Sequence, residues 1–430
     1  MSQHSVLFVD DQPSVLHGLR RTLWPHRREW EMFFASSAAE ALQILEAHPL
    51  EVIITDMRMP GVDGAQLLEM VRQRHPDVVR IVLSGYSASE TILQSVGAAH
   101  QYLSKPCSAE NLEVTIRRAF LVKQLLEVNP SLQALVGRIQ TLPALPSLYL
   151  RITRELQAEE PSLKTIGAVV SQDPGMAAKM LQLVNSAFFA LPRRVEDPAQ
   201  AVTLLGIEVT KALVLSLEIF SQHERLSIGG VSLERLWQHS TRCALLTRRL
   251  AEAEHATSGG IQDRAYTTGL LHDIGKLILG AMLPSEYRKV GRNAADQSIP
   301  TFAAERERWG TEHAAVGAFL LGLWGLPEDL VQAVRWHHEP RETENEAWAD
   351  LTLLVHVSNA LVDECGHSSG TPVSFLDEEY IRSIGKSTSL PQWREIASKA
   401  LTPVRTDPTT TRGRNFARRV RASAREGGAK

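Results

Sequence analysis

The chain has 430 residues, with 46 lysines and arginines against 49 aspartates and glutamates, for a formal charge of -3. That length exceeds what one hydrophobic core comfortably fills, so two or three domains are expected, and the near balance of charge gives no overall pull toward nucleic acid or membrane. No apolar run approaches membrane-spanning length. The first apolar run, residues 6–9, is too short for the core of a signal peptide. The cysteines Cys107, Cys243 and Cys365 are too widely spaced to suggest a disulfide framework or a cysteine zinc site, and a reducing cytoplasm is the expected compartment.

Strand-like runs at residues 6–9, 32–34, 52–54, 79–83 and 101–103 alternate with helix-period segments at 14–24, 38–47, 65–74, 88–96 and 109–121. A five-fold βα alternation predicts an α/β doubly wound, five-stranded parallel sheet with functional residues beyond the strand ends. Those ends are polar. The first strand runs into Asp10 and Asp11, the third into Asp56, the fourth into Ser84 and the last into Ser104 and Lys105. Three carboxylates in one crevice repel one another, and a hard cation such as Mg²⁺ relieves that repulsion while leaving room for phosphate oxygens. A carboxylate held there can attack phosphorus, with a lysine and a hydroxyl stabilising the transferring group.

With these residues the segment 1–122 resembles the receiver domain of bacterial two-component response regulators, a flavodoxin-like fold. The resemblance implies that Asp56 accepts phosphate from a cognate histidine kinase. It further implies that Mg²⁺ is held by Asp10, Asp11, Asp56 and the backbone carbonyl of Arg58, that Ser84 and Lys105 sense the phosphoryl group, and that Tyr102 is the aromatic switch. The helices at 88–96 and 109–121 would then form a partner or dimer surface that responds to phosphorylation.

The last helix of this segment is expected to continue to residue 128, where Asn129-Pro130 breaks it, and residues 123–138 are read as a helical linker. From residue 142 to beyond residue 361 the apolar spacing is helical throughout. Three blocks, Leu142-Pro-Ala-Leu-Pro146, the run from Asp173 to Ser186 and Ala201-Val-Thr-Leu-Leu-Gly206, are similar in order and spacing to the HDOD family, an HD-related all-α output domain, here placed at 139–365. Asp173-Pro174 reads locally as a helix N-cap followed by proline at the first helical position.

Histidines mark the same region: His239, His272 with Asp273, His313, and His337 with His338. Imidazoles and a carboxylate from several helices can share one or two divalent ions and activate a bridging water. Iron, manganese or zinc are the expected ions, and Lys276 is the expected phosphate contact, one turn beyond His272 on the same helical face. The order of these residues resembles the HD phosphohydrolases, particularly the cyclic-di-GMP phosphodiesterases. In this chain, however, Asn359 stands where those enzymes place a final aspartate, with Asp363 four residues on, and no Gly-Tyr-Pro follows His338-Glu339.

Residues 366–401 are read as a helical extension. The arginine-rich segment 402–430 reads as a solvated tail, without the aromatics or helix-turn-helix pattern of a nucleic-acid reader. The expected function is that of a response regulator whose HDOD module engages a downstream signalling protein, with a phosphorylation-gated metal phosphodiesterase as the alternative.

Overall fold

The computed structural model describes residues 3–85, 99–105, 107–138, 147–156, 162–171, 176–177, 180–181, 195, 197–223, 232–254, 259–343, 346–366 and 375–401. The N-terminal domain consists of β1 (His4–Val9), α1 (Pro13–Thr22), β2 (Trp30–Ala35), α2 (Ala38–Ala47), β3 (Val52–Asp56), α3 (Gly64–Arg74), β4 (Val79–Gly85), β5 (Gln101–Lys105) and α4 (Ala109–Glu127). Its five strands form one parallel sheet in the order β2-β1-β3-β4-β5. The expected helix at 88–96 lies outside the described residues. The first helix is shorter than expected, because Trp24–His26 forms a separate 3-10 turn.

The sheet is apolar on both faces because successive side chains point to opposite sides. Leu7, Val9, Ile53 and Val82 pack with Leu67, Leu68 and Val71 of α3. Val6, Phe8, Ile54 and Ile81 pack with Ile116, Ala119 and Phe120 of α4. Every residue of β3 is buried, as expected for a central strand with helices on both faces.

Helix α4 begins at Ser108, whose hydroxyl accepts from the Asn111 amide, and runs unbroken past residue 122. Asn129 then caps α5 (Pro130–Gly137) by accepting from the Leu132 amide. The expected linker is therefore not a free connector. Leu125, Leu126, Leu132 and Leu135 are buried in a core that includes Ile274, Phe319, Leu320 and Leu323 of the helical domain.

That domain follows with α6 (Ser147–Leu156), α7 (Leu163–Ser171), α8 (Pro198–Leu205), α9 (Ile207–His223), α10 (Leu233–Glu254), α11 (Gly259–Leu271), α12 (Ile274–Met282), α13 (Pro284–Gln297), α14 (Thr301–Trp309), α15 (His313–Leu323), α16 (Glu328–Trp336) and α17 (Glu346–Gly366). Among the described residues no strand occurs after Lys105, and no single helix is long and apolar enough to cross a membrane. Helix α15 is central. All its residues are buried, as a helix apolar on every side requires, and it packs against α12, α16 and α4.

The N-terminal domain meets the C-terminal end of α15 directly. Gln101 Nε2 on β5 donates to the Leu323 carbonyl at 3.1 Å, and Arg118 Nη1 on α4 donates to the Gly325 carbonyl at 3.1 Å. The Leu323 carbonyl is one that a helix end leaves without an intrahelical partner, and the guanidinium, on a carbonyl two residues past the helix, lies near the negative end of the helix dipole. Beyond α17, α18 (Glu378–Ser383) and α19 (Leu390–Leu401) form the expected extension. It is anchored by the buried Trp393, whose indole donates to Glu254 at 3.0 Å. The 402–430 segment lies outside the described residues.

Candidate functional site

Two clusters of titratable side chains stand out, one in each domain. The first occupies the C-terminal edge of the sheet. The parallel register of β1, β3 and β5 brings Asp10, Asp56 and Lys105 together. Asp10 and Asp56 are 1% and 8% exposed. Lys105 Nζ donates to Asp10 Oδ2 at 2.8 Å and to Asp56 Oδ1 at shorter range. Burial alone would lower the lysine pKa, but these two carboxylates outweigh it and raise it.

The other oxygens of the pair are also held. Asp10 Oδ1 accepts from the Gln12 amide at 3.0 Å, and Asp56 Oδ2 accepts from the Arg58 amide at 2.9 Å. Asp11 Oδ1 is buried with no hydrogen-bond partner. One lysine among three carboxylates leaves negative charge in excess, and an orphaned oxygen beside it fits a hard cation. The turn after Asp56 depends on Gly64, where a Cβ would lie 2.1 Å from the Asp56 carbonyl oxygen. The side chains of Ser84 and Tyr102 lie outside the described residues, although their backbones pair in β4 and β5.

The second cluster lies in the helical domain. His239 comes from the middle of α10. His272 and Asp273 occupy the break between α11 and α12. His313 opens α15, and His337 and His338 follow α16. All six converge. Asp273 sits at the centre, with Oδ2 3.6 Å from both His239 Nε2 and His272 Nε2. Its Oδ1 lies 3.1 Å from His313 Nε2 and 3.9 Å from His337 Nε2, without completing a hydrogen bond. His338 Nε2 is 3.1 Å from His313 Nε2. Asn359 and Asp363 of α17 also face the cluster, with Asn359 Oδ1 3.0 Å from His239 Nε2 and Asp363 Oδ1 3.3 Å from His239 Nδ1.

Backbone contacts fix the tautomers. His272 Nδ1 donates to the Gly269 carbonyl at 2.8 Å, and His337 Nδ1 donates to the Val334 carbonyl at 2.7 Å. Each Nε2 therefore presents a lone pair inward. His337 Nε2 is buried without a partner, and His272 Nε2 faces His239 Nε2 at 3.3 Å. Acceptors outnumber protons here, a deficit that a cation removes. Burial holds His272 neutral, with its pKa lowered to about 4, and pushes His337 and His338 well below the usual imidazole value. His313 moves the other way: burial opposes its charge, but Glu305, 2.6 Å from Nδ1, prevails and raises it to about 9. Asp273, which burial alone would lift, is held well below the carboxylate range by Lys276 and the surrounding imidazoles.

The helical face expected to join Lys276 to His272 requires a correction. The chain breaks at His272-Asp273, so His272 and Lys276 do not share one continuous helix, and Lys276 Nζ instead donates to Asp273 Oδ2 at 2.7 Å. The sequence reading also missed three participants. Cys243 Sγ lies 3.4 Å from His239 Nε2, a contact foreshadowed by their four-residue spacing on one helix. Glu305 has no local signal. His356 donates from Nδ1 to the His337 carbonyl at 2.9 Å and accepts the Asp377 amide on Nε2 at 2.9 Å. The blocks at 142–146 and 182–186 lie outside the described residues, as do Asp173 and Pro174.

Comparison with known proteins divides the chain at the same place. A model of the response regulator receiver domain matches residues 6–117, and a model of the HDOD domain matches residues 142–340. The chain is a response regulator with a receiver domain followed by an HDOD domain.

An uncharacterised protein of Treponema pallidum is 26% identical over 284 residues, covering 64% of this chain and 52% of that protein. The hydrogenase transcriptional regulatory protein HoxA of Cupriavidus necator is 44% identical over 119 residues, covering 27% of this chain and 24% of its own. This response regulator thus spans about half or less of these two relatives. Among solved structures, an HDOD domain protein of Geobacter sulfurreducens is similar over 63% of this chain and 97% of its own, with 21% identity and a TM-score of 0.47. A receiver domain protein of Clostridium thermocellum covers 29% and 98%, with 31% identity and a TM-score of 0.27.

Proposed function

We propose that a histidine kinase phosphorylates Asp56 and that the signal reaches the HDOD domain through the contact between β5, α4 and the end of α15. The Asp56 carboxylate attacks the phosphorus of the kinase's phosphohistidine, whose imidazole leaves; when bound, Mg²⁺ would be held by Asp10, Asp11, Asp56 and the Arg58 carbonyl and would offset the charge. Lys105, which now bridges Asp10 and Asp56, turns to the phosphoryl oxygens, with Ser84 and Tyr102 as the sensing hydroxyl and the switch. Lys105 ends β5, and Gln101 at the start of the same strand holds the Leu323 carbonyl; this continuity carries the proposal. A shift of β5 is thereby felt by α15, the helix that begins with His313. The output is binding of a downstream signalling protein by the HDOD domain.

Labelling by a phosphoryl donor tests the input: the wild-type chain takes up one phosphate and Asp56→Asn takes up none. Labelling that survives Asp56→Asn would overturn the assignment. A pull-down that retains the same partners with Asp56→Asn, whatever the phosphorylation state, would overturn the coupling.

The convergence of six metal-ligating side chains favours a second reading, a divalent-metal centre that hydrolyses a phosphoester. When bound, a divalent ion would supply an activated water. His239, His272, Asp273, His313, His337 and His338 would hold it, and Lys276 would be the phosphate contact. Asn359 in place of an aspartate and the missing Gly-Tyr-Pro weigh against the cyclic-dinucleotide substrate. Metal analysis followed by turnover assays tests this reading, which fails if the purified protein binds no divalent ion or if His272→Ala leaves turnover unchanged.

A further inference from the structure

The histidine cluster is not chemically uniform. Asp273 divides it into two halves. Oδ1 faces His313 and His337, with His338 against His313; Oδ2 faces His239 and His272, and against His239 lies a residue with no part in the readings above, Cys243. Cys243 is fully buried and stands one helical turn beyond His239 on α10. The ligand atoms of His239, Cys243 and His272 all lie within 4.8 Å of one another.

We propose that Cys243 Sγ is a metal ligand, and that His239 Nε2, Cys243 Sγ, His272 Nε2 and Asp273 Oδ2 form a tetrahedral zinc site distinct in metal preference from the imidazole half beside it. The inference rests on the metal-centre reading above and specifies its ion.

The distances carry the argument. Zinc bonds of about 2.0–2.1 Å to nitrogen and 2.3 Å to sulfur set tetrahedral edges of about 3.4 Å between two nitrogens and about 3.6 Å between nitrogen and sulfur. The corresponding separations are 3.3 Å for His239 to His272 and 3.4 Å for Cys243 to His239. Asp273 Oδ2, the fourth ligand of the proposal, lies 3.6 Å from both imidazole nitrogens. His272 Nε2 already turns a lone pair toward the site, because His272 donates its own proton from Nδ1 to the Gly269 carbonyl.

Charge points the same way. Asn359 brings a neutral oxygen to this half, and Lys276 already draws on Asp273 Oδ2. Asp363 lies behind His239, on Nδ1 at 3.3 Å, so within the four ligands the charge added to that of Asp273 is the Cys243 thiolate, formed as the ion displaces the thiol proton to solvent. A thiolate selects zinc over oxygen-seeking ions such as manganese or magnesium, whereas the all-imidazole half makes no such choice.

The test uses the full chain, stripped by a chelator and reloaded with cobalt(II), whose electronic spectrum reports a thiolate ligand, and with zinc, measured by elemental analysis under manganese competition. The expected result is a sulfur-to-cobalt charge-transfer band in the wild type that is absent in Cys243→Ser. Zinc should bind at one equivalent despite excess manganese, with an affinity lowered at least about tenfold in Cys243→Ser. His338→Ala, in the other half, keeps the band. Cobalt bound without the band, or zinc affinity unchanged in Cys243→Ser, overturns the proposal while leaving the metal-centre reading intact. A wild type that binds neither ion overturns both. Should Cys243→Ser fail to fold, the wild-type cobalt spectrum decides alone.

Discussion

Gly275→Ala is the most informative single perturbation of the HDOD domain, because it removes no ligand yet acts on the geometry that gathers them. An added Cβ would lie 1.9 Å from the His313 carbonyl oxygen, 2.8 Å from the His313 carbonyl carbon and 2.9 Å from the Gly317 amide nitrogen. All three are backbone atoms of α15, so no side chain can swing away. Helix α12 must retreat by at least about 1.1 Å to reach even a 3.0 Å contact, and overpacking of that kind costs about 3 kcal/mol, toward the upper end of its usual range. For a domain of this size that lowers the HDOD unfolding midpoint by about 6–12 °C. The same retreat carries Asp273, two residues earlier, away from His313 Nε2, now at 3.1 Å. Ligand placement tolerates only about 0.2 Å, so on the proposed metal-centre reading metal retention falls together with stability. Thermal unfolding and metal stoichiometry read the two effects. A variant with a midpoint within about 2 °C of wild type and unchanged metal content would refute the claim that this close approach assembles the cluster.

Lys105→Ala leaves two buried carboxylates without their shared cation and lowers receiver stability by about 1–3 kcal/mol in chelator, a loss that Mg²⁺ partly restores in a thermal-shift assay; equal loss with and without Mg²⁺ would contradict the charge argument. The metal-free protein should weaken on acidification, because His272, held near pKa 4 in the fold against 6.5 outside it, refuses a proton that the unfolded chain accepts. Stability then falls from about pH 6.5 toward pH 4 by up to about 1.4 kcal/mol per pH unit for each such histidine, His337 and His338 adding in the same direction; an unfolding midpoint constant from pH 7 to 5 would contradict this. His313 has the opposite sign: its raised pKa of about 9 contributes fully below pH 6.5 and is lost as pH rises through 9, a loss that His313→Gln should abolish in the same titration. Gln101→Ala combined with Arg118→Ala removes both hydrogen bonds to the end of α15, costs about 1 kcal/mol for each, and should separate receiver and HDOD unfolding into two calorimetric transitions; one unchanged cooperative transition would argue against the contact as a coupling.

The receiver was largely legible in the sequence because a parallel sheet buried on both faces writes its strands as apolar runs, and the polar residues that end them stand out by contrast. Asp10, Asp56 and Lys105 could be placed together from topology alone. The HDOD site was legible only in part. Histidines on apolar helices announced that something polar was buried, but not that Asp273 would lie between two groups of them, since that depends on packing among helices distant in sequence. Cys243 carries no signal in its spacing from the other cysteines; its signal is the four-residue spacing from His239, one turn earlier on the same helix. Glu305, which charges His313, and His356, which pins the His337 carbonyl, carry no local pattern. The continuity of Lys105's strand with the end of α15 could not be read at all, because Gln101 and Leu323 are 222 residues apart.

Hydrogen exchange of the full chain, with and without Mg²⁺ and a beryllofluoride mimic of the phosphoryl group, tests the coupling most directly. The account predicts altered protection in Gln101–Lys105 and in His313–Leu323 on addition of the mimic, with both changes absent in Asp56→Asn. Changes confined to residues 1–122, with His313–Leu323 unaltered, would contradict it.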